Sequence, residues 1–356
     1  MNKIERLRKA LLAAAIDALL VLDEFNCKYL SGFTYHDGAF LVTEKSAHLL
    51  TDFRYIEAAS KAVESEIKIT QTRERTSYIK DILLSEKVKK LGFVGSSVTY
   101  SEFKKICCDF PDIELVDVTD ILTDLRAVKY AEEIECIAKA QSIADEAFSE
   151  LLKIISPNMT EIEVAAEIDY LMRRKGSEGP AFSTVAVSGD ASSLPHGVPR
   201  NEKLKAGFLT MDFGAKYNGY CSDMTRTVSI GKADRDMKKL YETVLEAQRS
   251  ALEFLKAGII ASKADEIARN IIDSVPEFKG AFGHSLGHSV GLEVHESPSL
   301  SPRSENTVLS AGNIVTVEPG IYLEGKYGCR IEDMVLITEC GIHNFTQSDK
   351  DLIEIY

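Results

Sequence analysis

Two stretches of the chain each carry a pair of acidic residues around a turn. In Met211-Asp212-Phe213-Gly214-Ala215-Lys216-Tyr217-Asn218-Gly219-Tyr220-Cys221-Ser222-Asp223, the Asn218-Gly219 pair is a turn signal between two strand-like runs. Asp212 and Asp223 lie equally far from a centre placed between Tyr217 and Asn218. A hairpin in that register sets them face to face, about 5 Å apart at Cβ. Like charges so placed repel unless a cation or a proton neutralises them. The pattern returns further along the chain, where Glu318 and Glu332 flank Gly325 symmetrically. Each acid keeps apolar company: Met211 and Phe213 in the first pair, Val317 and Ile331 in the second. One such pair is compatible with ordinary surface acids. Two pairs point to a shared cation site, because partly buried carboxylates need cations or protons.

Histidines strengthen that reading. His284, His288 and His295, three of the seven in the chain, fall in one segment interleaved with glycines and apolar residues. Glycines allow close backbone approach, and imidazoles supply a metal ligand and proton carriers. Four carboxylates with an imidazole and no thiolate form a hard donor set. It suits Mn²⁺ best, with Co²⁺, Fe²⁺ and Zn²⁺ left open. Four carboxylates also balance two divalent cations, the arrangement that activates water at neutral pH.

The elements that must position these groups follow from periodicity. The first 125 residues alternate strand and helix patterns. Strands are expected at Ala18–Leu22, Ala39–Val42, His48–Thr51, Glu66–Thr70, Lys90–Val94 and Ile113–Val118, with a helix at Arg54–Val63. This half reads as an α/β domain. It holds only two histidines, His36 and His48, and no carboxylate–histidine cluster, so a scaffold or substrate-shaping role is expected. The domain boundary is placed at 125/126, before a long amphipathic helix from Lys129 to Ile155. A second helix is expected to start at Thr160, where Thr160 and Glu163 have the spacing of a capping box. Two more follow at Asp234–Lys256 and Ser262–Ser274. With the strand-rich stretches between them, residues 126–356 read as α+β with antiparallel strands.

The acids and histidines stand in motifs that resemble the proline-specific metallopeptidases, the Xaa-Pro dipeptidases (prolidases) and aminopeptidase P. These motifs are Asp212-Phe213-Gly214 with Asp223-Met224-Thr225-Arg226-Thr227, then Gly283 to Glu296, Glu318-Pro319-Gly320-Ile321-Tyr322 and Arg330-Ile331-Glu332-Asp333. The resemblance covers the chain from about 130 onward, and an N-terminal α/β domain also fits that group. It implies a pita-bread catalytic domain with pseudo-two-fold symmetry, and a homodimer. It also implies metal ligation by Asp212, Asp223, His288, Glu318 and Glu332, with Asp223 and Glu332 bridging two ions. Glu318 would act as general base, and His295 would steady the intermediate or pass a proton to the leaving nitrogen. His196 would contact substrate near the scissile bond, while His284 and Arg330 would orient ligands. The implied substrates are small peptides with proline in second position. The pattern departs at one place. Ser299 stands where many dipeptidases of the group carry an arginine that holds the substrate carboxylate, and Arg303 is the nearby candidate to replace it. The dipeptidase reading is therefore held beside an aminopeptidase P acting on longer Xaa-Pro-Yaa peptides.

Composition bounds the remaining classes. A net charge of −13 argues against nucleic-acid or anionic-membrane binding. Seven cysteines without a CxxC pair fit a reducing compartment, and the cytoplasm is expected. Basic residues before Ala10–Leu22 loosely imitate a secretory signal, but Asp17 interrupts the apolar run, and a helix entering a strand is expected instead. A metal-free, creatinase-like hydrolase or a binding module without catalysis would each be expected to show eroded ligand positions; all five are intact.

Overall fold

The computed structural model describes residues 2–34, 37–63 and 65–356, and His36 lies outside them. The chain divides into two compact units, Met1–Arg126 and Ala127–Tyr356.

Helix α1 (Lys3–Ala13) opens the first unit. It is capped by the Asn2 side chain with Glu5 answering from the third position, and it buries Ile4, Leu7 and Leu11. Thus the apolar N-terminal run is a helix entering a strand. The strands are β1 (Ala18–Val21), β2 (Ala39–Thr43), β3 (Ala47–Thr51), β4 (Lys68–Gln71), β5 (Lys90–Phe93) and β6 (Glu114–Asp117). They form one sheet in the order β4-β3-β2-β1-β5-β6, antiparallel across β1–β2–β3 and parallel elsewhere. Helices α2 (Glu24–Ser31), α3 (Ile56–Ala62), α4 (Arg75–Ser85), α5 (Tyr100–Asp109) and α6 (Thr119–Ala127) intervene. Of these, α3 alone was read as a helix from the sequence.

The second unit is built twice over from a helix pair and a strand pair. Helices α7 (Ala131–Leu151) and α8 (Glu161–Arg174) lead through the short strand β7 (Gly179–Pro180) to β8 (Val185–Ser188) and β9 (Gly207–Phe213). Strands β10 (Ala215–Tyr217), β11 (Tyr220–Cys221) and β12 (Met224–Ile230) complete the first hairpin. Helices α9 (Arg235–Phe254) and α10 (Ala261–Ser274) then precede β13 (Gly287–Ser289) and β14 (Glu296–Leu300). The second hairpin follows as β15 (Ile314–Val317), β16 (Gly320–Leu323), β17 (Tyr327–Arg330) and β18 (Asp333–Thr338), with β19 (Gly341–Asn344) and β20 (Glu354–Ile355) at the end. All pairings in this unit are antiparallel except β12 with β20. One apolar core joins α7 and α8 to β9 and β12 through residues such as Phe148, Ile168, Met211 and Phe213. The other joins α9 and α10 to β15–β18 through Leu240, Val244, Ile272, Val317 and Ile331. This repetition is the α+β, pseudo-two-fold architecture expected of the pita-bread fold.

Two local expectations need correction. The long helix starts at Ala131, not Lys129, because Tyr130 is extended as its N-cap, its N–H donating to Glu133 Oε2 at 2.9 Å. The first hairpin has a different register. Asn218 and Gly219 have φ values of 48° and 81°, so they are the two central residues of the turn and its centre lies between them. Asp212 therefore faces Thr225, and the position opposite Asp223 falls to Gly214. The capping box at Thr160 is present, with Glu163 N–H donating to Thr160 Oγ1 at 3.1 Å and Thr160 N–H to Glu163 Oε2 at 2.7 Å. Among the described residues none of the seven cysteines forms a disulfide. Among the described residues no helix is long and apolar enough to cross a membrane.

Candidate metal centre

Three of the four acids stand where the strand ladders break, while Asp212 stays within β9, paired with Thr225. Asp223 lies between β11 and β12, Glu318 between β15 and β16, and Glu332 between β17 and β18. Freed from the ladder, backbone groups there bond elsewhere: Glu318 N–H to the Leu286 carbonyl at 2.8 Å, and Glu332 N–H to the Thr225 carbonyl at 3.1 Å. The second bond stitches one hairpin to the other. Arg226, wholly buried, adds a stronger stitch. Its guanidinium donates to the Glu332 carbonyl at 2.6 Å and to Asp333 Oδ1 at 2.9 Å, and also reaches the carbonyls of Ser348 and Asp349.

Strand β13 brings His288 in. At Gly287 a Cβ would overlap the Thr316 carbonyl, so only glycine lets β13 approach β15 so closely. His288 Nδ1–H donates to the Ser289 carbonyl at 3.1 Å, which leaves Nε2 as the free ligand atom. That atom stands 3.4 Å from Glu318 Oε1 and 3.6 Å from Asp223 Oδ2. Asp223, His288 and Glu332 each offer a ligand atom within 4.8 Å of the others.

Burial sets the electrostatics. Desolvation, with the neighbouring carboxylates adding, pushes Asp223 and Glu332 well above the usual acid range. Burial likewise raises Glu318 to about 7, against the opposing pull of Arg330. Burial lowers His288 and keeps its imidazole neutral, the form that binds a metal. Two buried oxygens, Asp212 Oδ1 and Glu332 Oε1, have no hydrogen-bond partner among the described residues. Buried polar atoms without partners are rare and call for an explanation. Divalent cations at this donor set supply one, and the residues present fit them.

Supporting groups fix the remaining oxygens. Thr225 Oγ1 donates to Glu332 Oε2 at 2.7 Å, and Thr316 Oγ1 to Glu318 Oε1 at 3.2 Å. Arg330 donates to Asp212 Oδ2 at 2.5 Å, to the Tyr322 hydroxyl at 2.8 Å and to Thr225 Oγ1 at 3.0 Å. Tyr322 also meets His284 Nε2 at 3.0 Å. Because His284 Nδ1–H donates to the Ser285 carbonyl, its Nε2 accepts from the tyrosine. Burial, with Arg330 nearby, lowers that imidazole to about 4, so it stays neutral. Thr225, Thr316 and Tyr322 were not singled out in the sequence, although Thr225 and Tyr322 lie inside the quoted motifs.

All nine candidate positions line one cavity of about 620 Å³: Asp212, Asp223, His288, Glu318 and Glu332 with His196, His284, His295 and Arg330. His196 and His295 are exposed within it, and the His295 ring lies 4.3 Å from that of His288. An apolar portion of the lining comes from Phe182, Val185, Pro195, Val198 and Pro199. Ser299 belongs to the lining and its hydroxyl pairs with that of Ser304 at 3.1 Å; Arg303 is not among the lining residues.

Comparison with known proteins accounts for both units. Residues 135–339 match the model of metallopeptidase family M24, and residues 3–128 match that of the creatinase/prolidase N-terminal domain. A relative named Xaa-Pro dipeptidase from Pyrococcus horikoshii is 39% identical over 99% of both chains. Among solved structures, the Xaa-Pro dipeptidase from Bacillus anthracis superposes with a TM-score of 0.94 at 39% identity, covering 99% of each chain. The X-Pro aminopeptidase from Thermotoga maritima superposes at 0.92 with 36% identity, over the full length of both.

Proposed function

The chain belongs to metallopeptidase family M24, and we propose that within it the protein is an Xaa-Pro dipeptidase, hydrolysing the bond before proline in small peptides. The observation that carries the proposal is the pair of orphaned, buried carboxylate oxygens on Asp212 and Glu332, in a cavity that also has an apolar portion. Asp212, Asp223, His288, Glu318 and Glu332 would hold two divalent cations, Mn²⁺ first among them given the oxygen-rich donors. When bound, such cations polarise the peptide carbonyl and make water nucleophilic at neutral pH.

The chain's own residues do the rest. Glu318, which lines the cavity, accepts the proton of the attacking water. Arg330 and Thr225 hold Asp212 and Glu332 so that their free oxygens remain available for cations. Phe182, Val185 and Pro199 offer the proline ring an apolar seat. Proline's amide nitrogen carries no hydrogen, so it must gain a proton to leave. His295, exposed in the cavity beside His288, is the residue assigned to deliver it, with His196 contacting substrate close to that bond. The family resemblance extends the proposal to a homodimer working in the cytoplasm.

One observation favours a second reading, an aminopeptidase acting on longer Xaa-Pro peptides. Arg330 is the one arginine or lysine among the lining residues, and it is committed to Asp212, Tyr322 and the Pro195 carbonyl. A dipeptide's carboxylate therefore finds Ser299 where a cation would hold it best. The two readings separate in one assay. Chelator-treated protein, with and without Mn²⁺, is given an Xaa-Pro dipeptide, an Xaa-Pro-Yaa tripeptide and an Xaa-Ala control. Mn²⁺-dependent cleavage of the proline dipeptide alone is the expected result. Preference for the tripeptide establishes the aminopeptidase, and cleavage of neither by metal-loaded protein overturns both.

A further inference from the structure

Lys129 lies between α6 and α7, outside every motif discussed so far, and only 1% of its side chain is exposed. A buried ammonium is costly unless paired and fully hydrogen-bonded. Lys129 Nζ donates to Glu296 Oε2 at 3.0 Å and to Ser289 Oγ at 3.2 Å. Those partners directly follow His295 and His288 in the chain. The Glu296 carboxylate also accepts the Glu293 N–H at 3.2 Å, and Ser289 Oγ donates to the Ile314 carbonyl at 2.7 Å. The lysine's own N–H donates to the Gly312 carbonyl, and two residues earlier the Ala127 carbonyl accepts from the Asn313 side-chain amide, at 2.9 Å each.

The ladder cannot do this work alone. The register of β13 against β14 shifts between His288 and Ser289, and such an irregularity re-aims side chains while loosening the pairing around it. His295 precedes β14, is exposed, and takes its backbone position from Glu296. We infer that Lys129 is a positioning residue, which through Glu296 fixes where His295 stands in the cavity, Ser289 serving to hold the ammonium. The functional consequence rests on the proposed reading of His295 as the proton donor to the leaving nitrogen.

Lys129→Met keeps the apolar stem and removes the ammonium. In Mn²⁺-loaded enzyme it lowers kcat on an Xaa-Pro dipeptide about tenfold or more, the usual scale for groups that orient a catalytic shell, with KM and bound metal little changed. Repeated in a His295→Ala background, the same substitution costs less than about twofold, because its effect travels through the missing imidazole. Lys129→Arg, which retains the charge, restores most of the loss. An equal fall in both backgrounds, or no fall in either, overturns the inference. If Lys129→Met does not fold, Glu296→Gln goes through the same cycle under the same criteria. Should wild-type protein cleave no Xaa-Pro peptide, the functional reading has failed separately. The ¹⁵N signals of the His295 ring then decide the positioning: a shift in Lys129→Met supports it, and an unmoved signal overturns it.

Discussion

The two acid-bearing hairpins differ in how they set their pairs. In the second, Glu318 and Glu332 are directly opposed, in line with the Val317–Asp333 and Gly320–Arg330 pairs on either side. In the first, Asp212 faces Thr225, so Asp223 sits diagonally from it, about 7–8 Å away by ordinary sheet geometry. Both arrangements deliver two carboxylates to the same cavity. What matters is parity. A slip of two residues leaves a side chain on its original face, whereas a slip of one sends every side chain to the other. The space opposite Asp212 is then put to use, since the Thr225 hydroxyl found there holds Glu332 of the other hairpin.

The largest effect that would test this comparison comes from the ligands themselves. Asp223→Ala and Glu332→Ala should each lower kcat by more than about 10³-fold, several kcal/mol of lost transition-state stabilisation, despite their different registers. Metal analysis beside the kinetics checks this, and full activity with metal retained in either variant removes the two-ion assignment. A smaller contrast concerns the threonines. Thr225→Val, losing a 2.7 Å bond across the hairpins, should weaken metal binding roughly 10–100-fold. Thr316→Val, losing a 3.2 Å bond within one hairpin, should cost less, and competition against a chelating dye ranks the two. Equal losses would mean that the cross-hairpin bond has no special weight.

The turns should matter less again. Gly219→Ala and Gly325→Ala place a Cβ on left-handed backbone, at φ 81° and 68°, for about 1 kcal/mol each in chemical denaturation. A drop in bound metal for Gly219→Ala alone would show that the staggered register is the less tolerant one. The smallest effect is one of pH. Glu161 grips the Ser188 N–H of β8, the strand beside β9, and is itself gripped by Arg200 at 2.7 Å. Burial raises its pKa, but these bonds outweigh that and hold it below the usual carboxylate range. Its stabilising contribution is therefore complete above the unfolded pKa and fades as pH falls through the folded one. The melting-temperature gap between wild type and Glu161→Gln should shrink below about pH 4.3, where the unfolded side chain begins to titrate. A gap that stays constant to pH 3 would break the assignment.

Much of this was legible in the residues. The six strands of the first unit and the four long helices of the second announce themselves by period and caps, and the acid pairs by their placement about Asn218-Gly219 and Gly325. The register of the first hairpin was misread because the turn's central residues, not its flanks, set the centre. A helix as short as α2, Glu24–Ser31, spans too few turns for its period to stand out. Supporting groups such as Thr225 and Lys129 meet their partners only in three dimensions. Lys129 and Glu296 are separated by 167 positions, and no local pattern joins them.

Arg226 gives the molecule a clock. Its guanidinium is not satisfied until the carbonyls of Ser348 and Asp349 arrive, more than a hundred residues after it is made. At a synthesis rate of about 5–20 residues per second, that is roughly 6–25 seconds in which the first hairpin exists without its closing partners. A nascent chain stopped short of those carbonyls would carry every acid of the centre and still lack the seal that joins the halves. The centre is thus expected to mature only once residues 348 and 349 have emerged.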